Sequence, residues 1–79
     1  MDDNEKILQV HNIYVKWAKA HGHDPENKKV FDAFINSILF TVHKFGWKKY
    51  DLELDKHKEL YVFDSNDHEE KAQLWIDIQ

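Results

Sequence analysis

Two glycines and one proline are all the backbone punctuation this chain carries, and they divide it into two long blocks and a tail. Gly22 and Gly46 each suit the left-handed position that closes a helix. Asp24, Pro25 and Glu26 read as the cap, first-position proline and early acid that open the next one. The stretch His21-Gly22-His23-Asp24-Pro25-Glu26 is therefore expected to be the corner of a tight helical hairpin. Its two histidines and two carboxylates also invite a metal-site reading, since imidazole and carboxylate both suit zinc. The stop-and-start roles account for the same residues, however, and no fourth ligand is evident, so neither a metal nor any other cofactor is expected.

The first block should form a helix from Asp3 or Asn4 to His21. At 100° per residue, Ile7, Val10, Ile13, Tyr14, Trp17 and Ala18 share one face, with Glu5, Gln9, Asn12, Lys16 and Lys19 opposite. The second helix should run from Pro25 to about Phe45. Its apolar arc of Val30, Phe31, Phe34, Ile35, Ile38, Leu39, Val42 and Phe45 is wider than one neighbour requires, which predicts packing on two sides. Trp47 lies where it can fold back on Val42. Phe40 breaks the pattern by projecting onto the polar side near Lys29, Asn36 and Lys44. Either the tail wraps over it, or it anchors a partner or a second copy.

The tail supplies a sheet. Tyr50-Asp51-Leu52-Glu53-Leu54 alternates with period two, Asp55 to Lys58 is a polar turn, and Glu59 to Phe63 is a second β-rich run. A two- or four-residue loop would pair Leu52 with Tyr61 and Tyr50 with Phe63, whereas a three-residue loop would bring Leu60 and Val62 to the Leu52 face. In either register an apolar spot bordered by Asp51 and Glu53 should remain on the outer face. Residues 71–79 alternate as a third strand, with Trp75 as the exception, after an acidic loop over residues 64–70. The competing assignment is a terminal helix capped at Ser65 to Asp67. The expected fold is one α+β domain over residues 1–79, a helical hairpin packed on a three-stranded antiparallel β-meander in the order ααβββ, with ααββα as the alternative.

Composition narrows the function. The chain has no cysteine, which excludes disulfides and thiolate metal sites and favours an intracellular setting. It shows neither a secretory-signal pattern nor a long apolar run, so a cytoplasmic location with no membrane partner is expected. All eleven basic residues are lysine, and that lack of arginine weakens a nucleic-acid reading. A lysine-only chain rich in Ile, Asn and Asp also fits AT-rich coding, as in a bacterial or phage source. The net charge of −4 is uneven, about +2 over residues 1–50 and −6 over residues 51–79.

Chemistry-bearing constellations are sparse. There is no glycine-rich phosphate loop, and neither Ser37 nor Ser65 stands in a nucleophile context, so no enzyme is expected. Lys44, Lys48 and Lys49 interleave with Phe45, Trp47 and Tyr50 and could contact phosphates and bases. Net charge and the helix-end roles of these residues count against nucleic acid as the partner. The favoured expectation is a non-enzymatic, acidic protein-binding module, an inhibitor or regulator of a nucleic-acid-handling protein that presents a basic surface. Asp64, Asp67, Glu69 and Glu70, with Trp75 and Phe40, are the expected contact. A homodimer or assembly protein burying Phe40 and the outer sheet face is the alternative.

Overall fold

Both helices close on their glycines in the same way. In the computed structural model, which describes residues 3–78, α1 spans Asp3–Ala20 and α2 spans Lys28–Phe45. Gly22 and Gly46 adopt φ of 76° and 71°. After α1, the His23 N–H reaches back to the Ala18 carbonyl (2.8 Å) and the Gly22 N–H to Lys19 (3.3 Å). After α2, the Trp47 N–H reaches Val42 (3.1 Å) and the Gly46 N–H reaches His43 (3.2 Å). These paired backward bonds satisfy carbonyls that a helix end otherwise leaves free.

The start of α2 differs from expectation. Asp24 is not its cap and Pro25 is not its first residue. The Asp24 carboxylate instead accepts the Glu26 N–H at 2.9 Å, and the Asp24 carbonyl accepts the Asn27 N–H at 3.0 Å. Asp24 is thus consumed in a turn of its own. Asn27 takes over as cap, its side-chain oxygen accepting the Lys29 N–H at 2.9 Å. The turn is fastened to α1 by the Tyr14 hydroxyl, which donates to the Pro25 carbonyl at 2.6 Å. Burial, with Asp24 nearby, pushes the Tyr14 phenol above its usual pKa.

Three strands follow, β1 (Tyr50–Leu54), β2 (Leu60–Asp64) and β3 (Asp67–Gln73), antiparallel and adjacent in chain order. The β1–β2 register sets Leu52 opposite Val62 and Leu54 opposite Leu60. The Leu52–Tyr61 pairing is therefore not formed, and Leu60 and Val62 share the Leu52 face. The connection dictates this parity. The Asp55 carboxylate accepts the N–H groups of His57 and Glu59, both at 2.9 Å, which holds its carboxyl below the usual range. With Lys58 at φ 64°, an odd-length loop closes. His21 Nε2 donates to the Lys58 carbonyl at 2.8 Å, tying this loop to the end of α1.

The third strand forms, but earlier than the alternation indicates. Residues 64–70 are not a loop, and of the strand expected over 71–79 only residues 71–73 belong to β3, with Gln79 outside the described residues. The Asp64 carboxylate accepts the Asn66 N–H at 3.0 Å, closing a tight turn at Ser65-Asn66 that starts β3 at Asp67. Phe63 faces Lys71 while Asp64 faces Asp67, so His68, Glu69 and Glu70 bulge from the ladder. Residues 74–78 form neither strand nor helix, although the Leu74 N–H still bonds the Leu60 carbonyl at 2.8 Å.

The core joins Tyr14, Trp17 and Ala18 of α1 to Val30, Phe34 and Ile38 of α2, and to Trp47, Leu60, Val62 and Leu74. Phe34 sits at its centre, 4.9 Å from the Tyr14 ring and 5.8 Å from Trp17. Ile7, expected on the core face of α1, is instead 63% exposed at the rim of a shallow groove between the helices. The wide apolar arc of α2 is correspondingly covered only at its centre, and Phe31, Leu39 and Phe45 stay exposed. On the outer sheet face the expected apolar spot is Tyr61 and Phe63. Lys71 lies 4.7 Å over the Tyr61 ring while paired with Glu53, and His68 meets Phe63 edge-on at 5.0 Å.

Candidate docking groove

Phe40 and Trp75, the two residues that break the sequence pattern, line the same groove. Phe40 leaves α2 on its polar side because that position points away from Phe34 and Ile38. It is 70% exposed, so the tail does not wrap over it. Trp75 follows Leu74, whose side chain is buried in the core, and the alternation of an extended chain turns the indole outward, leaving it 80% exposed. Between them lies a groove of about 410 Å³ that also takes in Asn36, Lys44, Phe45 and Gln73.

The side chains around the groove are fixed by local contacts. Gln73 donates its side-chain amide to Glu59 at 2.6 Å, which ties the end of β3 to the β1–β2 loop. Thr41 donates its hydroxyl to the Ser37 carbonyl at 2.9 Å, so its polarity is spent inside α2. Phe45 stacks on Trp47 at 4.9 Å, with interplanar angle 14°. Trp47 in turn donates its indole N–H to Glu70 at 2.8 Å. Lys44, its ammonium 5.8 Å from the Phe45 ring, is the one ionisable side chain among the described residues lining the groove.

The six expected contact residues separate into two groups. Phe40 and Trp75 line the groove at one end of β3. Asp64 and Asp67 stand at the other, where their carboxylates accept the N–H groups of Asn66 and Glu69. Glu69 is exposed in the bulge, and Glu70 is occupied by Trp47. Of the basic candidates, Lys44 lines the groove, while exposed Lys48 and Lys49 lie in the connection between α2 and β1. Asn36 and Lys44 line the groove beside Phe40, where helical spacing placed them, whereas Phe45, counted with the core-facing arc, is exposed and joins the groove wall instead. Its place in the last turn of α2, next to Lys44, was the signal that could have found it. The corner histidines both lie against Trp17, with ring centroids at 5.7 Å for His21 and 5.5 Å for His23. Among the described residues no three His, Asp or Glu side chains converge as a metal-ligand set, and no helix is long and apolar enough to cross a membrane. Comparison with protein-family models, curated proteins and solved structures gives no match to this chain.

Proposed function

We propose that this protein acts by binding another protein, with the groove between α2 and the end of β3 as its grip. The observation that carries the reading is the placement of Phe40 and Trp75, 70% and 80% exposed, on one concave surface. Large aromatics cost free energy in water and return it when a partner covers them, and such anchors dominate binding energy in protein interfaces. Asp64, Asp67 and Glu69 at the far end of β3 add a negative field that steers a partner with a basic surface, such as a nucleic-acid-handling protein, and a regulatory or inhibitory role follows from occupying that surface.

The test is capture from lysate of the source organism, split into nuclease-treated and untreated halves, on immobilised wild-type protein, beside F40A/W75A and D67K/E69K variants. A stoichiometric protein retained by wild type and lost with F40A/W75A supports the groove. Loss only with D67K/E69K transfers the contact to the β2–β3 turn. Recovery that needs intact nucleic acid defeats the proposal and turns attention to Lys44, Lys48 and Lys49.

A further inference from the structure

The groove has one wall of helix and one wall of open sheet edge. β3 bonds to β2 on one side only, and the far wall of the groove is residues 72–75. In an antiparallel ladder, successive residues turn their N–H and C=O alternately toward and away from the partner strand. The Leu74 N–H bonds the Leu60 carbonyl, and Ala72 is opposite Val62. Gln73 therefore turns its backbone groups to the open side, and Trp75 stands two residues on, just past the end of β3.

Natural sheets defend such edges with charge. The defence here is partial. Asp67, Glu69, Glu70 and Lys71 charge the first part of β3, and the same side of the molecule carries the bulge. Residues 72–75, Ala-Gln-Leu-Trp, carry no charge at all. The undefended part of the edge is the part that borders the groove. The opposite edge of the sheet is occupied differently, since the Lys6 ammonium of α1 bonds the Tyr50 carbonyl and the Asp51 carboxylate there.

We infer that the occupant of the groove is an extended segment of the partner protein, added as a fourth strand along residues 73–75, with alternate apolar side chains against Phe40 and an acidic group at Lys44. The inference rests on the reading of this groove as the protein-binding site. The open backbone groups select an extended chain over a helix, because only an extended chain presents unpaired N–H and C=O groups of its own. Strand addition supplies affinity through main-chain bonds, and the aromatic lining supplies the choice of side chain at every second position. Charge complementarity fixes the remaining feature, since the lining offers Lys44 and no acid among the described residues.

The experiment is selection from a displayed library of random ten-residue peptides on the immobilised full chain, with the folded F40A/W75A variant as counter-selection. Enriched peptides should carry apolar residues at i and i+2 with one Asp or Glu. N-methylation of a synthetic copy at alternate amides in one phase should weaken binding about tenfold, the loss of a main-chain bond, and in the other phase change it little. K44E should weaken the same peptide about threefold, and a Lys in place of the peptide's acid should restore it. Amide exchange at Gln73 and Trp75 should slow on binding. Peptides with i, i+3 and i+4 spacing, or peptides indifferent to N-methylation in both phases, would overturn the strand and leave the groove standing. Enrichment that does not distinguish wild type from F40A/W75A, or no enrichment at all, would overturn both.

Discussion

Replacing Phe40 by alanine should leave the fold almost as stable as before, whereas the same change at Phe34 on the same helix should come close to unfolding it. The magnitudes follow from burial. Phe34 is 0% exposed and touches Tyr14 and Trp17, so F34A loses the ring and leaves a cavity, about 3–5 kcal/mol. A chain of this size has a net stability of about 4–12 kcal/mol. Phe40 hides only the remaining part of a ring that is 70% exposed, worth about 0.5–1 kcal/mol. Alanine's better helix propensity returns about 0.5 kcal/mol of that. The net change should lie within about 0.5 kcal/mol. Urea titration followed by tryptophan fluorescence reads both variants, since Trp17 and Trp47 are buried and report unfolding. With a denaturant dependence of about 1 kcal/mol per M, F40A should move the midpoint by less than about 0.5 M, and F34A should shorten or abolish the folded baseline. A loss of about 2 kcal/mol or more in F40A would refute the reasoning, because it would mean that the ring is covered in solution. Repeating the titration at a tenfold lower protein concentration identifies the cover. A loss that vanishes on dilution points to a second copy, and one that persists points to the chain itself.

Two further outcomes are expected. Asn27→Ala should cost about 1 kcal/mol in the same urea assay, the usual worth of a helix cap, and more than Asp24→Ala, whose carboxylate serves only its own turn; the reverse order would return the cap to Asp24. Asp51→Asn should cost less than about 1 kcal/mol near pH 6, because the Lys6–Asp51 pair is partly exposed. The Lys6 ammonium, then the Ser65 hydroxyl, hold the Asp51 carboxyl below its usual pKa despite partial burial. Its contribution is thus complete above the unfolded value of about 3.9 and fades as pH falls through the lower folded value, so the gap between wild type and variant should close in acid. A gap that widens in acid would contradict the pairing.

The helices were legible because Gly22 and Gly46 act locally, each closing its own helix with bonds that reach back no further than Ala18 and Val42. The start of α2 was not, because Asp24 and Asn27 are both good caps and the choice depends on which one a neighbouring turn consumes. The β1 strand followed from alternation and β2 from its run of β-favouring residues, but their register depended on how Asp55 gathers the N–H groups of His57 and Glu59. The early start of β3 left no trace in hydrophobicity, since Asp67 to Lys71 are all polar and a bulge erases the period. Phe40 and Trp75 could each be singled out as misfits to helical and strand periodicity. That both line one groove depends on where the packing of α2 on the sheet brings it relative to the end of β3, which no local pattern encodes.

The strands lie side by side in the order in which the chain makes them, and the helices before them form a hairpin of their own. Each neighbour is reached across a short connection, so little loop entropy opposes each successive pairing. Among the described residues, the side-chain bonds that span the greatest length of chain are those from Lys6 to Tyr50 and Asp51, joining helical layer to sheet. Neighbouring strands joined by short connections make for local contacts, and local contacts are what speed folding in small domains.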